Sequence, residues 1–484
     1  MMSMHDTAAQ DAPSADSAEL DAVLRQQRNA YERARSPSLI QRRKALRTLS
    51  RLLQDNRDAI VAALHSDFGH RSSDETRIAE IGATVANIEF ARRHLAAWMR
   101  PRRRSTSMWF LPGANRVQAQ PLGVVGIMAP WNYPINLAVS PLASALAAGN
   151  RAMIKMSEYT PASSQLLKQL LAQAFDQDQV AVFGGGPAES EHFSALPFDH
   201  LLFTGSTAVG RKVMAAAAAN LTPLTLELGG KSPVIVASDY PMEEAASRVL
   251  WGKTTNAGQT CVAPDYVLVP QGRARDFVIW MSRHYRQRFP DGAQGQDYSS
   301  IIDQRNYQRL GQLVETAQSG GAEVVPLEPH TEALAAARKF PLTLILNPAD
   351  DSRVMREEIF GPVLPVLEVP DVDHAVQRIN AGERPLALYL FSHSEKIQQA
   401  VMKNTHAGGV TINDVMLQYL QVAQPFGGVG ASGFGRYHGR EGFETFSHMK
   451  AVFVQRGFGR FTGLKLLYPP YGPLSRRLIS LMGG

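Results

Sequence analysis

Apolar residues recur with a helical period between residues 39 and 61: Leu39 and Ile40, Leu46, Leu49, Leu52 and Leu53, then Ile60 and Val61. That spacing lays one apolar stripe along a helix. A mainly helical stretch is predicted to run to about Met99, preceded by a small, polar, disordered tail over residues 1–18. From residue 105 the pattern changes to short apolar runs separated by amphipathic segments. Residues 122–128 form a continuous apolar run, and 137–148 read as a buried helix closing at Gly149-Asn150. Residues 152–155 read as a strand, with Thr160-Pro161 as cap and first turn of a helix to residue 175. A strand at 200–204, a helix at 207–220 and a strand at 222–228 follow. The alternation resumes with strands at 232–237 and 266–269 around a helix opened by Asp239-Tyr240-Pro241. Strands alternating with helices predict an α/β fold, a parallel sheet with both faces covered and a second α/β unit after it.

Composition narrows the class. At 484 residues the chain is long enough for two or three domains, and 44% hydrophobic with 19% charged residues fits a packed core. One cysteine excludes an intrachain disulfide framework and a cysteine-based zinc site. No metal site is expected. The first twenty residues lack a basic start and an apolar stretch, so no secretory signal is expected and a cytoplasmic location is. No charge occurs over residues 117–150, but Pro121, Pro130, Pro134 and Pro141 interrupt that stretch and argue against a membrane span. The formal charge of +6 is uneven: eight Lys/Arg and two Asp/Glu follow from Arg436 to the end, and Arg100 with Arg102-Arg103-Arg104 forms a second cluster. Neither carries a nucleic-acid motif or interleaved aromatic platform, so no nucleic-acid partner is expected. Asp67-Phe68-Gly69 spells a kinase triplet without the other kinase signatures and is set aside.

Four segments could carry chemistry. Cys261 is the sole thiol, between a predicted helix and strand; a buried structural cysteine is the plain alternative. Glu227 lies inside an apolar strand, where burial raises a carboxylate toward the range of a general base; pairing with Lys231 is the alternative. Phe203 to Gly210 is a strand, a glycine turn and a helix start whose free N–H groups suit a pyrophosphate, although neither a P-loop nor the usual glycine fingerprint is complete. In Lys155-Met156-Ser157-Glu158 the carboxylate could accept from ribose hydroxyls and the lysine could donate; a solvent-facing loop is the alternative.

Together these segments resemble the aldehyde dehydrogenase superfamily. The match rests on Pro130-Trp131-Asn132-Tyr133-Pro134, Lys155-Met156-Ser157-Glu158, the turn at 203–210, Leu226-Glu227-Leu228-Gly229-Gly230-Lys231-Ser232-Pro233, the loop at 258–261 and Glu357-Glu358-Ile359-Phe360-Gly361-Pro362, in family order from about residue 40 to 450. Met156 stands where the family usually has proline. Residues 197–205 and 263–268, Asn413-Asp414-Val415-Met416 and residues 425–430 are similar to the coniferyl aldehyde dehydrogenase branch, and residues 443–448 and 468–471 to class 3 and fatty aldehyde dehydrogenases.

The resemblance implies a Rossmann-type cofactor domain (19–102 and 121–228), an α/β catalytic domain (229–430), and a β oligomerisation arm with C-terminal tail (103–120 and 431–484), assembled as a homodimer. It implies oxidation of an aldehyde to the acid through a cysteine thiohemiacetal and thioester. Cys261 is then the nucleophile, Glu227 the base for hydrolysis, and Asn132 an oxyanion donor. Trp131, Lys155, Ser157, Glu158, Gly205, Ser206, Leu228, Glu358 and Phe360 would bind NAD, with NADP disfavoured by the Glu158 charge. Tyr133, Leu137, Thr260, Val262 and Phe426 would line the passage for a small aldehyde of aromatic, coniferyl-like type; a medium- or long-chain aliphatic aldehyde is the alternative. Three rivals are a CoA-acylating enzyme, which has no need of the Glu227 base, a Cys-His hydrolase, for which no signature is present, and a non-catalytic structural protein on the same fold.

Overall fold

The computed structural model describes residues 15–456, 465 and 467–482. Of the expected tail, residues 1–14 lie outside the described residues, and residues 15–18 are not tail but open the first helix, Ala15–Arg33. Leu20, Val23 and Leu24 of that helix are buried in one cluster with Val124, Met153 and Phe193, so its apolar face anchors it. The helices Leu39–Asp55, Arg57–Phe68 and Ala83–Trp98 supply the predicted helical region. Ser38 and Gln41 form a reciprocal capping box on the first of these.

Three sheets are present among the described residues. Strands β1 (Arg102–Arg104), β2 (Ala114–Pro121) and β16 (Ser447–Val454) form an antiparallel sheet. Strands β3 (Val124–Met128), β4 (Arg151–Lys155), β5 (Val180–Phe183), β6 (His200–Gly205), β7 (Leu224–Leu228) and β15 (Gly433–Phe434) form the second, in the order β15-β7-β6-β3-β4-β5. Its five long strands are parallel, as the alternation predicts, and β15 is antiparallel to β7. The chain winds from β3 through β4 to β5, then returns to β6 and β7 on the other side. The carboxyl edge between β3 and β6 is therefore a topological switch point, where open α/β sheets bind ligands. Strands β8 (Pro233–Val236), β9 (Tyr266–Pro270), β10 (Glu323–Pro326), β11 (Thr343–Leu346), β12 (Val363–Val369), β13 (Ala387–Phe391) and β14 (Gly409–Ile412) form the third, ordered β10-β11-β12-β9-β8-β13-β14 and parallel except for β10.

The uncharged stretch resolves into strand, loop and helix. The helix begins at Pro134 rather than 137, because a proline at the first position loses no helix hydrogen bond, and every residue to Ala148 is buried. Its last carbonyls, those of Ala147 and Ala148, accept from the buried Arg42 guanidinium. The helix Pro161–Ala174 starts where predicted, but Thr160 makes no side-chain cap. The Asp67 carboxylate does so from a distant segment, accepting from the N–H groups of Ala162 and Ser163 at 2.8 Å each.

Candidate active site

A parallel sheet presents the carboxyl ends of its strands along one edge, and the singled-out segments lie there. Residues 130–133 follow β3, Lys155 ends β4 with Ser157 and Glu158 just beyond, Gly205 ends β6 and leads to Ser206, and Glu227 and Leu228 end β7. Cys261 arrives from the third sheet's side. The helix Met242–Thr254 ends in a turn in which Asn256 and Ala257 both have φ 50° and Gly258 has φ 73°. Side-chain amides hold this left-handed turn. Asn256 Nδ2 donates to the Asn132 and Gln259 carbonyls at 3.1 and 3.2 Å, and Gln259 Nε2 donates to the Asn256 and Ser300 carbonyls at 2.9 and 3.0 Å. Neither amide was singled out from sequence, although both lie in the segment around Cys261.

Cys261 and Glu227 open onto one cavity of about 410 Å³. Tyr133, Leu137, Thr260, Val262 and Phe426 line it too, with Leu228, Tyr419 and Tyr437. The Tyr133 and Thr260 hydroxyls are hydrogen-bonded at 2.8 Å, tying the wall to the residue before the thiol. Asn132 is not among the lining residues; it is buried, its Nδ2 donating one hydrogen to the carbonyl of Gln259, two residues before Cys261, at 3.1 Å.

Glu227 is 3% exposed, and neither carboxylate oxygen has a hydrogen-bond partner among the described residues. Lys231, the alternative partner, instead binds Asp265 and donates to the Val354 and Glu357 carbonyls. Burial with no compensating charge pushes the Glu227 carboxyl well above the ordinary carboxylate range. The Cys261 thiol is pushed up to about 12, first by burial and then by the charges of Glu358 and Glu227. Glu358 is itself raised to about 7 by burial and by Asp265, against a hydrogen bond from the Gly230 N–H.

Of the residues expected to bind NAD, Glu358 lines a second cleft, of about 610 Å³, with Thr207, Gly229, Gly230 and Lys231; Leu228 lines the first cavity, and Trp131, Lys155, Ser157, Glu158, Gly205, Ser206 and Phe360 are not on the cleft's wall. A Cβ at Gly229 would collide with the Glu358 carboxylate, so glycine keeps that wall open. Ser206 caps the helix Thr207–Ala218, accepting from the Val209 N–H, and leaves the helix start exposed. Phe360, held at φ 47°, meets the Trp131 ring edge-on at 5.3 Å between centroids. Lys155 is buried, its Nζ donating to the Met156 and Gly185 carbonyls at 2.8 and 2.7 Å, while Glu158 is exposed. A strand-end edge at a switch point, an exposed helix N-terminus and a glycine-walled cleft beside a carboxylate fit a dinucleotide.

The comparisons with known proteins agree with this geometry. The model of the aldehyde dehydrogenase family matches residues 3–452. The chain is 49% identical over 461 residues to a probable coniferyl aldehyde dehydrogenase of Pseudomonas aeruginosa, covering 95% of each chain. It is 46% identical over 434 residues to the coniferyl aldehyde dehydrogenase of Pseudomonas sp. strain HR199, covering 89% of each. A solved structure of the substrate-bound state of Staphylococcus aureus AldH superposes with a TM-score of 0.90 at 36% identity, covering 96% of this chain and 99% of that one. No helix among the described residues is long and apolar enough to cross a membrane.

Proposed function

The chain belongs to the aldehyde dehydrogenase family, which oxidises aldehydes to acids with NAD(P), and from that premise we propose that its substrate is an aromatic aldehyde of the coniferyl type. One observation carries the reading: the sole thiol and an unpartnered buried carboxylate open onto one cavity walled by Tyr133, Tyr419, Phe426 and Tyr437. Aromatic walls suit a flat conjugated ring.

In this reading the Cys261 thiol gives up its proton to water, and the thiolate attacks the carbonyl carbon, forming the C–S bond as the C=O pair moves onto oxygen. The Cys261 N–H and the second N–H of the Asn132 amide stabilise the oxyanion; one such donor is typically worth about 3 kcal/mol of barrier. A nicotinamide held in the cleft would supply the hydride acceptor. Trp131, Gly205, Ser206, Leu228, Glu358 and Phe360 would hold and orient it, and Lys155, Ser157 and Glu158 would take the far ribose. The exposed Glu158 carboxylate repels a 2′-phosphate, which favours NAD over NADP. Glu227 then takes a proton from water as its oxygen attacks the thioester carbon; the C–S bond breaks and Cys261 leaves with the electron pair. A thiol that must stay reduced suits the cytoplasm. The antiparallel sheet of β1, β2 and β16 is proposed as the arm of a homodimer.

A panel of aromatic and aliphatic aldehydes, each with NAD and NADP, tests this. The expected result is highest kcat/KM for a phenylpropenal with NAD, free acid as product, and no turnover by Cys261→Ala. A preference for long aliphatic aldehydes would overturn the substrate assignment; oxidation by Cys261→Ala would overturn the nucleophile.

A further inference from the structure

The cavity holds a second buried polar group. Tyr437 is fully buried and lines the same cavity as Glu227 and Cys261, and its Oη has no hydrogen bond of ordinary geometry among the described residues. The neighbouring Tyr419 phenol interacts with it side chain to side chain; a phenol that gives its hydrogen to such a neighbour keeps its oxygen as an acceptor. Most buried hydroxyls are paired, and a water can settle two orphans at once if both reach it. The cavity, at about 410 Å³, has ample room for a water molecule beside a substrate.

The backbone holds this phenol in a fixed relation to the carboxylate. Strand β15 pairs with β7 so that Gly433 stands opposite Glu227. Gly433 has φ 115°, and a Cβ there would run into the Leu226 carbonyl, so only glycine allows this approach. Just beyond, Tyr437 and Phe426 exchange two backbone hydrogen bonds of 2.8 and 3.0 Å, turning the chain back over the cavity. The phenol therefore rides on the backbone that is bonded to the strand carrying Glu227. The charges of Glu227 and Cys261 both act on it.

We propose that the Tyr437 hydroxyl is the second hydrogen-bond partner of the water that Glu227 activates. The inference rests on the reading of Glu227 as the hydrolytic base. The water donates one hydrogen to Glu227 and the other to Tyr437 Oη, which leaves a lone pair free toward the thioester carbon. Bond formation, proton transfer to Glu227 and C–S cleavage proceed as above; Tyr437 gains and loses no proton.

Hydrolysis of p-nitrophenyl acetate, which acylates the thiol without any dinucleotide, tests it in the full-length chain. In Tyr437→Phe the initial burst of p-nitrophenolate should keep its rate, the steady state should fall about tenfold, and an acetyl adduct on Cys261 should accumulate by mass spectrometry. In Glu227→Gln the steady state should fall further, and adding Tyr437→Phe to it should cost little more, because both groups act on one water. A Tyr437→Phe steady state equal to the parent's, or a burst slowed as much as the steady state, overturns the tyrosine role while leaving Glu227 as base. A Glu227→Gln steady state equal to the parent's overturns the base reading and this inference with it.

Discussion

Glu227 occupies a position that a stability argument alone would give to an apolar residue. Its neighbours on β7 are Leu226 and Leu228, and its carboxylate is buried without a partner. Leaving a buried polar group unsatisfied costs on the order of 1–3 kcal/mol. The pH dependence follows from the raised folded pKa. The free carboxyl of an unfolded chain titrates near ~4.3, and below that value both states are protonated and the fold keeps its full margin. As pH rises toward and through the raised folded value, the unfolded chain ionises first, and stability falls. Glu227→Gln removes that loss, so thermal melts should show the variant's advantage over the parent widening from pH 5 to pH 8. A constant gap would mean that Glu227 is ionised and paired in solution. The same shift means that the basic form of Glu227 is populated only at higher pH. Deacylation measured by single turnover should therefore rise with pH in the parent and be slow, with accumulated acyl-enzyme, in Glu227→Gln.

Among the elements, the helix Pro161–Ala174 illustrates how a terminus can be satisfied from afar. Its local candidate, Thr160, leaves its hydroxyl buried without a partner among the described residues, and the Asp67 carboxylate accepts from the N–H groups of Ala162 and Ser163 instead. An anion at a helix N-terminus is favoured both by hydrogen bonding and by the helix dipole. Asp67→Ala should cost about 1–2 kcal/mol, read as a lower denaturation midpoint, with the aldehyde KM within about twofold of the parent's. The loop that carries Cys261 is held differently: amide side chains from Asn256 and Gln259 fix a left-handed turn that asparagine tolerates and that is unfavourable for Ala257. That strain is sustained by buried hydrogen bonds, which suits a loop that must present one sulfur at a fixed place.

At the scale of the whole molecule, two sheets meet at the site and a third stands apart from it. The separate sheet carries Phe453 on β16, 46% exposed, with Met108 at 73% and Leu111 at 53% in the β1–β2 connection. Apolar side chains clustered on a sheet are what a subunit contact covers. Sedimentation should give a mass near twice the chain's 53.0 kDa, and Phe453→Glu combined with Met108→Glu should shift it toward the monomer. A parent that sediments as a monomer at micromolar concentration would remove the dimer proposal.

What could be read from the chain alone was local: alternation of strands and helices, and motifs at the ends of strands. A parallel sheet turns that order into a common edge after β3, β4, β6 and β7; what joins those segments into one site from sequence is the family resemblance of their motifs. Contacts between distant segments left no such trace. The choice of Asp265 over Glu227 as the partner of Lys231, the cap from Asp67 across 95 residues of chain, and the phenol of Tyr437 beside the cavity all depend on segments that meet only when the sheets pack. Periodicity reports which face of an element is apolar; which polar group is left unpaired inside depends on what the other segments bring, and only the tertiary structure decides that.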